Sequence, residues 1–339
     1  MQLPKILTKI GLFCLSLLLV VSCNGATDIT DDGNGDPIVM GYSNWAGWWP
    51  WAIAEEEGLF EKNGANVRLQ WFDDYVASME ALAAGQLDAN CQTLNDTVSF
   101  AADAVEGEVV VLVNDNSEGN DKIIAIEEIE SISELEGREV AVEVGVVSDF
   151  LLSLALEEEG MSRDDVNIVD LETGAGAAAF ASGQVDAVGS YPPYWLVALD
   201  REGSRELINS EAFPGAIPDL LVTTQTLVDE RPDQVQALVD TWFDILEFME
   251  ENPERSDEIM AEVANVSTEE MELFKDGTRI FTIEENLEAF SDGDDMTHMP
   301  YAAQEMAEFM VDVDFIPEVP DLSDLFDDSF VQTYADENE

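Results

Sequence analysis

Basic residues are scarce: 13 Lys and Arg stand against 74 Asp and Glu, giving a formal net charge of −61 over 339 residues. Phosphate contacts need clustered cations, so a nucleic-acid partner is excluded. Histidine is scarcer still, and a single His298 in a late polar stretch cannot build a His-paired nucleophile or a His metal cluster. There is no Gly-rich phosphate loop followed by Lys. A carboxylate pair could do acid–base work, but with 74 acids available that observation discriminates nothing. No enzymatic activity, cofactor or metal is therefore expected. Apolar residues, in contrast, make up 46% of the chain, with seven Trp and 16 Phe, which excludes disorder throughout. At roughly 100–200 residues per domain the length points to two domains. Acids spread evenly along the chain read as adaptation to high salt, where screening shortens their mutual repulsion and carboxylates keep the surface hydrated.

Cysteine is also rare, with three in all. Lys5 and Lys9 flank the start of an apolar run over residues 10–21, too short to span a membrane comfortably, so residues 1–22 read as a signal peptide. Val20-Val21-Ser22-Cys23 resembles a lipobox, which makes Cys23 the lipidation site and the lipid the only membrane attachment. Residues 23–37, rich in Gly, Asp, Asn and Thr, read as a flexible tether. Cys91 is then the one cysteine left in the folded part, which rules out a disulfide there and suits a small buried residue at a strand end.

The chain repeats itself. Ala83-Ala84-Gly85-Gln86-Leu87-Asp88-Ala89 returns roughly 100 residues on as Ala181-Ser182-Gly183-Gln184-Val185-Asp186-Ala187. Glu55-Glu56-Glu57-Gly58 likewise returns as Glu157-Glu158-Glu159-Gly160, and the apolar run at 38–42 returns at 140–144. Each unit reads strand, helix, strand, helix, strand, with second strands at 67–72 and 166–171 and third strands at 87–91 and 185–189. The Gly-Gln pair closes a helix in both units, and the Asp after it serves turn geometry. Extended runs at 109–113 and 122–126 make a first crossing between lobes, and one at 220–224 makes the return. Helices follow at 231–251, 253–264, 268–275 and 299–311, and 314–339 is irregular or a short terminal helix. The expected architecture is α/β, with residues 38–121 and 220–339 forming lobe I and residues 122–219 forming lobe II.

Ligands of such sheets sit beyond the carboxyl ends of the strands. The segments there are rich in aromatics and acids: Ser43-Asn44-Trp45, Asp73-Asp74-Tyr75 and Thr93-Leu94-Asn95-Asp96 in the first unit, Glu143 and Ser190-Tyr191 in the second. Aromatic faces and desolvated carboxylates suit a small cation. Trp45 and Tyr191 are expected to face the cleft, whereas Trp48, Trp49 and Trp51 read as core. Asp73, Asp74, Asn95, Asp96 and Glu143 are the polar candidates, each acid also being what a salt-adapted surface would carry.

Gly41-Tyr42-Ser43-Asn44-Trp45, Ala52-Ile53-Ala54-Glu55-Glu56-Glu57-Gly58-Leu59-Phe60, the two lobes and the lipobox resemble type II solute-binding proteins of ABC importers, specifically the nitrate, taurine and sulfonate class. Trp71-Phe72-Asp73-Asp74-Tyr75-Val76-Ala77-Ser78-Met79 and the run from Leu112 to Asp121 are similar to the subgroup associated with urea carboxylase or guanidine utilisation, although the double acid Asp73-Asp74 stands where a single one is expected. The resemblance implies a type II periplasmic-binding-protein fold: two similar lobes with parallel-rich sheets, joined by two crossings. It further implies a monomeric, extracytoplasmic, lipid-anchored receptor that hands a small guanidinium- or urea-like solute to an ABC permease and its ATPase. No strand-end segment named above holds a base, and Arg68 and Arg138 are expected to face solvent. The same fold binding taurine, an alkylsulfonate, nitrate or a thiamine pyrimidine precursor is the alternative. A related pyrimidine-precursor synthase would need a catalytic His and a Cys-rich segment.

Overall fold

The computed structural model describes residues 35–338; the leader, Cys23 and most of the tether lie outside the described residues. Eleven strands fall among these residues: β1 Ile38–Tyr42, β2 Val67–Trp71, β3 Ala89–Thr93, β4 Glu108–Ser117, β5 Lys122–Ile126, β6 Glu139–Val142, β7 Asn167–Asp170, β8 Ala187–Ser190, β9 Ser204–Asn209, β10 Pro218–Thr224 and β11 Thr278–Ile280. They form two sheets, ordered β11-β4-β10-β3-β1-β2 and β7-β6-β8-β5-β9. The internal repeat is visible in that order, since β2-β1-β3 and β7-β6-β8 are the same parallel arrangement built twice. Each triplet is extended by an antiparallel strand, β10 beside β3 and β5 beside β8, so the sheets are mixed where the chain crosses between them.

Local chemistry explains the repeat. Gly85 and Gly183, at φ of 68° and 78°, turn the chain out of the helices Tyr75–Ala83 and Thr173–Ala181 in a conformation that a side chain would strain. The acids after them serve the backbone: Asp88 accepts from Val39 N at 2.7 Å and Asp186 from Glu139 N at 3.2 Å, tying each third strand to its first.

Strand β4 runs further than its apolar core suggests, because Asn114 to Ser117 continue it between β10 and β11 with their side chains buried. Among the elements without a sequence signal, β9 and β11 are short and half exposed at sheet edges, and the helix Ile283–Phe290 lies in acidic surroundings. That helix is held by its Asn286, whose side chain accepts from Val113 N at 2.9 Å and donates to Val113 O at 3.0 Å.

Candidate functional site

Both chain crossings leave the first sheet at one place. Strand β4 ends at Ser117, β10 begins at Pro218, and the intervening turns are stitched together, with Ser117 and Ser210 hydroxyls 2.7 Å apart and Gly119 N donating to Ser210 Oγ at 2.7 Å. The register of β4 and β10 sets Asp115 directly opposite Asp219, and that of β10 and β3 sets Asp219 opposite Thr93. Direct antiparallel neighbours place their side chains on one face. Two carboxyls therefore meet in the interior, both fully buried, and Asp121 joins them from the turn after β4.

Aromatic rings close over these acids. The turn after β1 brings Trp45 across, and its indole Nε1 donates to Asp115 Oδ1 at 2.9 Å. Gly47 permits that approach: a Cβ there would lie 1.7 Å from Asp115 Oδ2. Trp45 meets Trp48 and Tyr191 edge to face, each at a centroid distance of 6.4 Å, and Trp48 packs on Tyr75 at 5.3 Å. Tyr75 is anchored by accepting from Thr93 N at 2.9 Å. These side chains line a pocket with Asp121 and Asp219 in its wall and Val147 from the second lobe facing them. Tyr194 reaches across from the second lobe to accept from Asn44 Nδ2 at 2.9 Å.

Electrostatics follow from burial. Desolvation pushes Asp121 up to about 7, against the hydrogen bond from Ser117 and the nearby Lys122 charge. Asp115 and Asp219 are both driven well above the ordinary carboxylate range, first by burial, with the neighbouring acids Asp121 and Asp115 adding to it respectively. Among the described residues, no donor reaches Asp219 Oδ1 or Oδ2, Asp115 Oδ2, Asp121 Oδ2 or Asn44 Oδ1. Every one of these is an acceptor. No Lys, Arg or His among the described residues lines the cavity, and no group of three or more His, Cys, Asp or Glu there is placed to hold a metal ion.

The nominated residues divide. Trp45 and Tyr191 line the cavity, as does Trp48, which sequence reasoning assigned to the core; Trp49 and Trp51 pack instead on Phe274 and on Phe60 and Trp242. Asp96 is fully buried behind Thr93, whose Oγ1 donates to it at 2.7 Å, and Asn95 donates to its other oxygen at 2.7 Å. Burial raises Asp96 to about 7, opposed by hydrogen bonds from Thr93, Tyr75 and the Val147 backbone of the other lobe. Glu143, buried across the cleft and accepting from Thr173 Oγ1 at 3.3 Å, is raised to about 7 by burial and then by Glu172 and Asp74. Asp73 and Asp74 are exposed and outside the cavity: Asp73 accepts from Trp71 Nε1 at 2.9 Å, and Asp74 caps the helix Tyr75–Ala83 through Ala77 N. Asp115, Asp121 and Asp219 were missed. Their one signal was position, since Asp219 is the second residue of β10 and Asp115 lies near the end of β4, where an acid has no solvent to face.

Comparison with known proteins agrees with this architecture. A Brucella abortus (strain 2308) protein provisionally named a binding protein is 31% identical over 264 residues, 76% of this chain and 81% of its own length. A Bacillus subtilis (strain 168) protein provisionally named an aliphatic sulfonates-binding protein is 24% identical over 85% of this chain and 86% of its own. The crystal structure of the periplasmic aliphatic sulphonate binding protein SsuA from Escherichia coli superposes with a TM-score of 0.70 at 20% identity, covering 85% of this chain and 90% of that one. The family model for NMT1-like proteins matches residues 31–265. With more than half its length matched and two mixed sheets linked by paired crossings, this chain belongs to the NMT1-like family and has the α/β periplasmic-binding-protein fold.

Proposed function

We propose that the protein is the extracytoplasmic solute receptor of an ABC importer and that its solute is a small nitrogen-rich cation of the guanidinium type. The observation that carries the reading is the set of buried acceptor oxygens that meet no donor, on Asp219, Asp121 and Asn44 in the wall of a pocket shared with Trp45, Trp48, Tyr75 and Tyr191, and on Asp115 opposite Asp219. A planar cation supplies what this surface lacks: N–H donors for the carboxyls and positive charge for rings, the latter worth about 0.5–2 kcal/mol. An anion placed there would find no Lys, Arg or His among the described residues lining the pocket. Urea, which is uncharged and has a carbonyl acceptor in place of one amino group, is the weaker fit. The receptor makes and breaks no bond; closure of the lobes, bridged by Asn44 and Tyr194, holds the solute until a permease and its ATPase accept it. Attachment through lipid on Cys23 belongs to the same proposal, with loss of lipid labelling in Cys23→Ala as its test.

A second reading has support of its own. The Bacillus subtilis and Escherichia coli proteins are named for aliphatic sulfonates, and the Trp48 indole N–H meets no acceptor. Under it, the site binds taurine, an alkylsulfonate or nitrate through N–H groups. A thermal-shift panel of guanidinium, urea, taurine, ethanesulfonate, nitrate and pyrimidine precursors in molar potassium chloride separates the two. A true ligand at 100 times its dissociation constant adds about 2.7 kcal/mol. Stabilisation by guanidinium supports the cation reading, and stabilisation by taurine, ethanesulfonate or nitrate without it supports the second.

A further inference from the structure

We infer that Asp115 and Asp219 share a proton in the ligand-free protein and that a cationic solute binds by displacing it, which makes this pair the determinant that separates charged solutes from neutral ones of the same shape. The inference rests on the cation reading of the site. Three observations carry it. Register puts the two residues directly opposite each other on β4 and β10, both without solvent exposure. Directly opposed antiparallel residues carry their side chains on one face, which brings the two carboxyls together. The oxygens that meet no protein donor are both those of Asp219 and the Oδ2 of Asp115, Oδ1 being held by Trp45. A proton between the two gives each a partner that the rest of the protein does not.

The surroundings favour holding that proton. From the turn after β4 the pair faces Asp121, with Lys122 behind it; from β3 it faces Thr93 and, beyond, Asp96; Tyr75 approaches from its helix and Cys91 from within the sheet. On β11, Ile280 is opposite Asp115, and the neighbouring Arg279 is engaged with Glu118 and Glu285. Lys122, the cation that bears on Asp121, pairs with Glu206 at 2.7 Å. When guanidinium enters, its positive charge replaces the proton, which leaves to solvent; charge and atoms balance, and no further reactant is needed. Urea carries no charge to make the exchange, so it binds with the proton in place.

The test is calorimetry on the full chain with guanidinium chloride as the probe, at pH 6, 7 and 8, in buffers that differ in ionisation enthalpy. The expected result is release of up to one proton per guanidinium, with affinity falling up to about tenfold per pH unit as pH drops below the titration of the pair. Asp219→Asn should abolish both the release and the slope while leaving urea binding independent of pH; Asp115→Asn is the second variant if the first fails to fold. Guanidinium binding without proton release, or release that persists in both folded variants and so comes from Asp96 or Asp121, overturns the inference and leaves the cation reading intact. Absence of guanidinium binding overturns the cation reading itself.

Discussion

Replacing Asp219 by Asn should have opposite effects on stability and on binding. Asp219 is fully buried opposite Asp115. Two ionised carboxylates at about 4 Å repel by roughly 4 kcal/mol at an effective dielectric of about 20. The folded chain escapes most of this by keeping a proton that the unfolded chain has already lost. Since folding raises the titration of both acids, the native state binds more protons than the unfolded state across the window between ordinary and raised values, and stability falls as pH rises through it. An amide carries no charge and can donate to Asp115. Asp219→Asn should therefore raise stability by about 1–4 kcal/mol at pH 8 and change it little at pH 4, where both forms are neutral. In the same variant guanidinium affinity should fall by about 2–5 kcal/mol, the cost of removing one partner from a buried charge pair. Heat is the right denaturant, because guanidinium and urea both resemble the solute. Melting curves in molar potassium chloride from pH 4 to 8.5 would show the wild type losing stability with rising pH and the variant losing less. A variant less stable than wild type at pH 8, or a wild-type profile flat over that range, would refute the reasoning.

Gly47→Ala places a methyl where Asp115 Oδ2 now lies, at 1.7 Å, and should cost about 1–3 kcal/mol of stability by overpacking, with solute binding reduced at least tenfold in calorimetry. Tyr194→Phe removes the acceptor of the Asn44 bond between the lobes; stopped-flow release should quicken by roughly 2- to 10-fold, the equivalent of about 0.5–1.5 kcal/mol. Because the chain carries a formal charge of −61, its melting temperature should climb from dilute buffer to molar salt; a flat or falling profile would contradict salt adaptation.

What could be read from the sequence was what repeats or alternates. The duplicated Gly-Gln-hydrophobic-Asp segments fixed two equivalent units, because a left-handed glycine and an Asp bound to a strand N–H are demanded by the backbone wherever the unit is built. Trp45 and Tyr191 could be placed at the cleft since they follow strand ends directly. The acidic floor was not legible in the same way. Asp115 and Asp219 are 104 positions apart and meet only through antiparallel register, which no local pattern encodes. Among 74 acids their one distinguishing mark is membership of buried strands, and Asn114 to Ser117 looked like a polar link because nothing nearby showed that β10 and β11 would pair with them. Asp73 and Asp74 were attractive for the opposite reason: they follow a strand, but the chain uses them to satisfy Trp71 and a helix N-terminus.

Under the proposed function, buried carboxyls beside aromatic rings select a cation. Equilibrium dialysis of labelled guanidinium against the full chain at pH 8 in molar potassium chloride, with unlabelled taurine, nitrate and urea as competitors, tests it most directly. Saturable one-to-one binding of guanidinium is expected, displaced by unlabelled guanidinium and matched by the three competitors only at roughly 100-fold higher concentration, as one or two charge-assisted hydrogen bonds would require. Failure of guanidinium to saturate the site, together with tight binding of taurine or nitrate, would contradict it.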